Sequence, residues 1–184
     1  PDTVGCSKLR RVNDLPGGGD RLIADAVGMR AVVVKGETVR FADAGAVLLG
    51  KLQMTEGAFA DHHPDITPPV NPWNRAHWPG ASSSGSGVAT AAGLCFASLG
   101  SDTGGSIRFP SAANGVTGLK PTWGRVSRYG VFDLAPTLDH VGPMCRSAAD
   151  TGAVLGVIAG ADANDRTAST VPVPNYLAGL ERGL

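Results

Sequence analysis

The sequence predicts an α/β fold in which a mixed β-sheet is sandwiched by helices. Short strand-like runs alternate along the chain with helix-like segments that are rich in small residues, as is typical of this class. Ala46–Leu49 is an unbroken apolar run between two glycines, and Ser82–Cys95 consists largely of serine, glycine and alanine. Because 184 residues is an ordinary length for one domain, residues 1–184 are assigned to a single folded unit.

The elements of the first half follow in order. Glu37–Ala44 is predicted to form a short helix that Gly45 closes, because glycine readily adopts the left-handed conformation that ends helices. Ala46–Leu49 follows as a buried strand. A turn-rich connector, Thr67–Trp73, leads to a helix that starts near Ser82 and ends near Cys95. The small side chains of this helix should let it lie close to neighbouring backbone.

The second half continues the alternation. Val116–Leu119 is predicted to form a short strand, and Arg125–Gly130 a turn followed by a strand. Ser147 has the polar character of a helix start, and Gly160 marks the end of that helix. Its apolar face should contain Ala153, Val154, Val157 and Ile158.

Composition argues against several function classes. Sixteen positive and sixteen negative side chains give a net charge of zero, which offers no electrostatic basis for direct binding to nucleic acid or a membrane surface. The longest apolar runs are far shorter than the ~20 residues that a membrane-spanning helix needs. Three widely spaced cysteines are typical of reduced thiols, and no secretory signal is visible at Pro1, so a cytoplasmic location is expected.

The segment Gly80–Ser106 concentrates the residues that could carry chemistry. It contains seven serines, seven glycines and a single charge, that of Asp102. An apolar run, Val88–Leu99, separates two serine- and glycine-rich clusters, which argues for a packed element between two turns rather than a solvated linker. In the second cluster, glycines allow successive N–H groups to point at one spot beside the Ser106 hydroxyl. Such a turn is typical of a nucleophile with its own oxyanion hole.

Three segments rich in glycine follow one another along the chain: Pro79–Gly87, Gly100–Pro110 and Gly115–Thr122. Together they resemble the amidase signature family, and Gly45–Glu56 and the Asp-x-x-Gly-Pro pattern of Asp139–Met144 extend the resemblance. It implies that residues 1–184 form one amidase signature domain. Because members of that family are normally much longer, the domain is expected to be partial, a truncated member or a fragment.

The resemblance implies a Ser–Ser–Lys triad that hydrolyses a carboxylic amide through an acyl-enzyme. Ser106 would be the nucleophile, and Ser82, twenty-four residues before it, would be the bridging serine on a cis peptide bond. The oxyanion would be bound by the backbone N–H groups of Thr103, Gly104, Gly105 and Ser106. Ser83, Asp102 and Arg108 would support these groups, with Arg108 neutralising Asp102 and bracing the turn.

The triad also requires a lysine that is neutral enough to accept a proton. The lysine nearest to the expected position is Lys8, although Leu9 follows it where the family usually has aspartate. An alternative is that Lys8, beside Arg10 and Arg11, is a solvated surface residue. Lys51 is not assigned to the triad, because the family has a separate lysine after the corresponding strand.

The sequence alone leaves alternative functions open. The same family contains the glutaminase subunit of transfer-RNA amidotransferases, and a catalytically inactive scaffold fragment is a third hypothesis. The substrate would be a small-molecule amide of linear type, with no cofactor and no direct contact with nucleic acid or membrane. The partner would be a second copy, as a homodimer, or the other subunits of an amidotransferase.

The histidines suggest two weaker alternatives. His62, His63 and His77 could hold a metal, but adjacent histidines on a proline-rich loop point in different directions and no third ligand stands at a typical spacing. No metal is therefore expected. A Ser-His-Asp hydrolase that uses His140 is also weak, since nothing in the local sequence orients that ring toward Ser106.

Overall fold

The computed structural model describes residues 40–59 and 61–180. Its helices include α1 (Ser84–Ala91), α2 (Arg108–Asn114) and α3 (Ala148–Ile158), and Glu56–Ala58 forms a 3₁₀ turn. The strands are β1 (Ala97–Asp102), β2 (Thr117–Gly118) and β3 (His140–Cys145). Lys8 and the first residues of the predicted helix Glu37–Ala44 lie outside the described residues. None of the helices in the described part of the chain is long and apolar enough to cross a membrane.

The three described strands form one sheet in the order β1-β3-β2. Both pairings are antiparallel, and the register of β1 with β3 runs from Ala97 opposite Cys145 to Asp102 opposite His140. The central strand, β3, is almost completely buried, since five of its six residues are buried. The sheet therefore carries Asp102, the first residue of the candidate turn, to the end of β1.

Helices cover both faces of this sheet, which confirms the predicted α/β arrangement. On one face, α1 is joined to β1 by polar contacts, because the Ser86 hydroxyl donates to the carbonyl oxygen of Leu99 at 2.7 Å and the hydroxyl groups of Thr90 and Ser98 lie 2.8 Å apart. On the other face, α3 packs into the apolar core. The buried members of that core are Val126, Val141, Leu155, Ile158 and Ala159.

Helix α1 lies against backbone on two sides, as its small residues predict. A Cβ atom added to Gly85 would lie 2.5 Å from the carbonyl oxygen of Gln53, and one added to Gly87 would lie 2.9 Å from that of Pro110. Neither neighbour is the flexible end of a side chain, so larger residues would push the helix away from both segments. The glycines of the first cluster therefore determine how closely Ser82 approaches the rest of the site.

Two strand predictions are wrong. Ala46–Leu49 forms no strand and is exposed, with Val47 82% accessible. An apolar run becomes a buried strand only where a neighbouring strand and a covering layer are available, and the described residues supply neither here. Arg125–Gly130 contains only an isolated bridge between Val126 and Ala159.

Helix α3 begins where the sequence predicts. The Ser147 hydroxyl accepts a hydrogen bond from the N–H of Asp150 at 3.1 Å and donates one to the Asp150 carboxylate at 2.7 Å. Gly160, with φ +115°, follows the last turn. A side-chain acceptor at the start of a helix satisfies one of the N–H groups that the first helical turn leaves unpaired.

We expect Ser147→Ala to lower the free energy of unfolding by about 1 kcal/mol, because it removes this cap. The measurement is urea unfolding followed by circular dichroism. The matched control is Ser169→Ala, whose hydroxyl accepts a longer, exposed bond from Val171 at 3.3 Å and should change stability by less than about 0.5 kcal/mol. Equal losses in the two variants would contradict the capping role.

Candidate active site

The two serine- and glycine-rich clusters lie side by side. The Ser83 N–H donates to the carbonyl oxygen of Ser106 at 3.3 Å, which joins the entrance of α1 to the turn that follows β1. The peptide bond between Ala81 and Ser82 is cis. From the opposite side, the Thr55 N–H donates to the carbonyl oxygen of Ser82 at 3.1 Å. The backbone around Ser82 is thus held from two directions.

The two candidate catalytic serines differ in exposure and in bonding. Ser82 is completely buried, and its hydroxyl has no hydrogen-bond partner within the described residues. Ser106 is half-buried and follows the glycine pair at the end of β1. A buried hydroxyl without a partner is costly, so Ser82 presents an unused donor and acceptor next to the turn that carries Ser106.

Ser83 has a bracing role in the geometry. Its hydroxyl donates to the Ser101 carbonyl at 3.3 Å and accepts from the Ser101 N–H at 3.2 Å, so one side chain satisfies both backbone groups of a β1 residue. Gly100 makes this approach possible, since a Cβ atom there would lie 2.9 Å from the Ser83 hydroxyl oxygen. The first cluster is therefore fastened to β1 at the residue just before Asp102.

The carboxylate of Asp102 organises the turn after β1. It is fully buried and accepts hydrogen bonds from the N–H groups of Gly105 at 2.8 Å, Ile107 at 3.1 Å and Arg108 at 3.3 Å. The Arg108 guanidinium adds two bonds, of 3.0 and 2.9 Å, one to each carboxylate oxygen. Paired, charge-assisted bonds of this kind are stronger than neutral ones, so the turn is closed around a rigid anchor.

Two opposing influences act on this carboxyl. Burial by itself would raise the pKa of Asp102, whereas the hydrogen bonds from the Arg108 guanidinium and from the N–H groups of Ile107 and Arg108 lower it. The bonds outweigh the burial, and the pKa of Asp102 lies below its ordinary value. The same contact raises the pKa of Arg108. Asp102 is therefore ionised at neutral pH and can keep all of these bonds.

The N–H groups of the turn fall into two sets. That of Gly105 is already donated to Asp102, whereas in the described chain those of Thr103, Gly104 and Ser106 donate no hydrogen bond outside the sheet. Gly105 has φ +141°, and a Cβ atom there would lie 2.2 Å from the Phe109 ring. Glycine is thus required at this position, and the free N–H groups beside it are available to an anionic oxygen.

His62 contacts the first cluster, a contact that sequence reasoning missed. Its Nε2 atom lies 2.9 Å from the hydroxyl oxygen of Ser84, which is fully buried at the start of α1. Burial lowers the pKa of His62, and the nearby Asp61 only partly opposes this. The neutral ring is therefore favoured near pH 7, and it links the loop before the connector to the serine cluster.

Both ring nitrogens of His140 are engaged away from Ser106. Its Nε2 lies 3.1 Å from the Lys120 ammonium, which can only donate, so Nδ1 carries the proton and donates to the Leu138 carbonyl at 2.6 Å. The Asp102 carbonyl lies 3.2 Å from the same Nδ1 atom. This arrangement argues against a Ser-His-Asp triad built on His140.

Other reactive side chains form no second centre in the described part of the chain. Burial raises the pKa of Cys145 to about 11, so this thiol is neutral at physiological pH. No group of three histidine, cysteine or acidic residues that could hold a metal ion occurs in the ranges that the structure describes. His63 lies near Asp65, at 3.8 Å.

Comparison with known proteins agrees with this architecture. The family model described as Amidase matches residues 33–182. A protein named putative amidase AmiD, from Mycobacterium bovis, is 62% identical over 141 residues, which cover 77% of this chain but 30% of that protein. A glutamyl-tRNA(Gln) amidotransferase subunit from Synechococcus is 52% identical over 147 residues, with 79% and 30% coverage.

A solved structure shows the same fold. The peptide amidase of Stenotrophomonas maltophilia superposes with a TM-score of 0.69 at 41% identity, over 78% of this chain and 31% of that one. The chain belongs to the amidase family. It spans about a third or less of the length of these relatives. The family match begins at residue 33, so Lys8 lies outside it as well as outside the described residues.

Proposed function

We propose that the protein hydrolyses the C–N bond of a linear carboxylic amide through an acyl-enzyme formed on Ser106. The observation that carries this proposal is the buried, unpartnered hydroxyl of Ser82 beside the turn that holds Ser106, within the described residues. A structural serine in this environment would normally be hydrogen-bonded. A hydroxyl that relays a proton instead needs a free donor and acceptor, which is what Ser82 offers.

The proposed reaction uses three side chains. Ser106 Oγ attacks the amide carbonyl and passes its proton to Ser82 Oγ, while Ser82 passes its own proton to the neutral amine of Lys8. The carbonyl oxygen becomes an oxyanion beside the N–H groups of Thr103, Gly104 and Ser106. The relay then returns a proton to the leaving amine. Water attacks the acyl-enzyme, releases the carboxylic acid and restores the Ser106 hydroxyl.

Several finer features belong to the proposal. The oxyanion set is narrower than the four donors that the sequence suggested, because the Gly105 N–H is already donated to Asp102. No step requires a cofactor or metal. We propose a cytoplasmic location, as for an enzyme that acts on small-molecule amides with reduced thiols, and a single domain over residues 1–184.

The test is covalent labelling with a fluorophosphonate, followed by peptide mapping. We expect the adduct on Ser106, because this probe reacts with an activated serine and places an oxygen at the oxyanion position. Ser82→Ala should slow labelling about 100-fold or more, since it interrupts the proton relay.

The matched control is Ser98→Ala. Ser98 is a buried serine whose hydroxyl bonds Thr90 and the Ser86 carbonyl, away from the turn. Its loss should leave the labelling rate of the folded protein unchanged. An adduct elsewhere, or equal rates in Ser82→Ala and the unmodified protein, would contradict the proposed triad. No labelling of the folded chain would favour the inactive scaffold instead.

A second candidate is the glutaminase subunit of a transfer-RNA amidotransferase. It is favoured by relatives named as glutamyl-tRNA(Gln) amidotransferase subunits, which are 47% to 53% identical to this chain. The discriminating assay is ammonia release from glutamine compared with release from simple aliphatic amides. Release that is specific to glutamine and stimulated by partner subunits would support the amidotransferase; turnover of the simple amides by the chain alone, or as a homodimer, would support the amidase.

A further inference from the structure

A second carboxylate, that of Asp139, contacts the candidate oxyanion turn. The register of β1 and β3 ends with Asp102 opposite His140, so one further step places Thr103 opposite Asp139. The Thr103 hydroxyl donates to Asp139 Oδ1 at 2.5 Å, and Asp139 is only 4% exposed. The sheet itself therefore brings this hydroxyl and this carboxylate together.

Asp139 is held rigidly by the loop that precedes β3. Its carboxylate accepts the N–H of Leu134 at 2.9 Å and that of Ala135 at 3.1 and 3.0 Å, one distance to each oxygen. The N–H groups of Leu138 and Asp139 donate back to the Ala135 carbonyl at 2.8 and 2.9 Å. A carboxylate fixed by several backbone donors is a firm anchor for one more bond.

The turn is thus fastened at two points. Asp102 holds Gly105 from within the turn, and Asp139 holds Thr103 from the neighbouring strand. Between them lies Gly104, which is exposed and has nothing within 4 Å of the position that a Cβ atom would take. Glycine backbone is the most freely rotating of all, so the direction of these N–H groups depends on the two fixed neighbours.

We propose that Asp139 is a positioning residue, which acts through the Thr103 hydroxyl to aim the N–H groups of Thr103 and Gly104 at the oxyanion. The inference rests on the proposed function of the turn. A displacement of about 1 Å at a reacting centre can cost about 100-fold in rate, so one anchoring bond can matter. Asp139 itself touches neither substrate nor the reacting atoms in this role.

Thr103→Val is the sharpest test, because it removes the hydroxyl, keeps the branched shape and leaves the bonds from Asp139 to its own loop intact. We expect fluorophosphonate labelling of Ser106 to slow by about 10- to 100-fold. For an amide substrate, kcat should fall while KM changes little. The ¹H–¹⁵N signals of the Gly104 and Ser106 amides should shift. Asp139→Asn is the second variant and should change the same three readouts.

Ser127→Ala provides the matched control. The fully buried Ser127 donates to Asp162 Oδ2 at 2.7 Å, a hydroxyl–carboxylate contact away from the turn. It should reduce thermal stability while the labelling rate and the Gly104 signal stay at their unmodified values.

Two outcomes separate the hypotheses. If Thr103→Val loses stability as Ser127→Ala does, with labelling and amide signals unchanged, the contact is purely structural and the positioning role is wrong. If the unmodified 184-residue chain is never labelled but the Gly104 and Ser106 signals still move in Thr103→Val, the proposed function fails while the coupling between Asp139 and the turn stands.

Discussion

Ser106→Ala is expected to lower kcat/KM for an amide substrate by about 10⁴-fold or more, the largest effect on activity that the site predicts. Without Oγ no acyl-enzyme can form, and only the oxyanion donors and substrate binding remain to accelerate attack by water. The backbone contacts of this residue do not depend on its hydroxyl, because the carbonyl oxygen of Ser106 accepts the bond from Ser83. The fold should therefore survive the change.

The measurement is steady-state amide hydrolysis, with circular dichroism to establish that the variant is folded. Ser101→Ala serves as the control, since Ser101 lies on β1 and its contacts with Ser83 are made by backbone groups. It should retain most of the turnover. If Ser106→Ala kept full activity, the serine mechanism would be wrong and another nucleophile would have to be sought.

Local patterns in the sequence were enough to place much of the site. Ser82, Ser83 and Ser106 stand in short glycine-rich motifs, and Asp102 and Arg108 are six residues apart on either side of a glycine turn. Such contacts depend on nearby backbone geometry, which composition constrains. Helix α3 was equally predictable, because its capping serine and apolar face lie within one continuous segment.

Contacts that join distant segments could not be predicted in the same way. His62 meets Ser84 across 22 positions and Thr103 meets Asp139 across 36, so each depends on how loops and strands pack. The Asp-x-x-Gly-Pro pattern marked Asp139 without indicating what its carboxylate binds. Ala46–Leu49 failed for a related reason, because burial of an apolar run depends on partners that the run itself does not encode. The role of Lys8 stays a prediction.

Asp102→Ala is expected to lower the free energy of unfolding by about 3–5 kcal/mol at pH 7, the largest effect on stability among these variants. The change removes a fully buried carboxylate and leaves the N–H groups of Gly105 and Ile107 without their acceptor. It also frees a half-exposed Arg108 guanidinium, whose release costs little because water can solvate it. Most of the loss should therefore come from the unpaired backbone donors.

Urea unfolding measures this loss, with Asp43→Ala as the control. Asp43 is exposed, so its replacement should change stability by less than about 0.5 kcal/mol. A loss in Asp102→Ala as small as that of the control would contradict the idea that one carboxylate closes the turn.

The stability difference should also depend on pH in a defined direction. Because the pKa of Asp102 is lower in the folded protein than its ordinary value of about 4, the ionised carboxylate stabilises the fold fully above that value. As the pH falls below about 4, the unfolded chain takes up a proton first and the contribution shrinks, and it is lost once the pH passes the folded pKa. The gap between the unmodified protein and Asp102→Ala should therefore narrow in acid. A gap that stayed constant from neutral pH down to about pH 2 would mean that the charge of Asp102 is not what holds the turn.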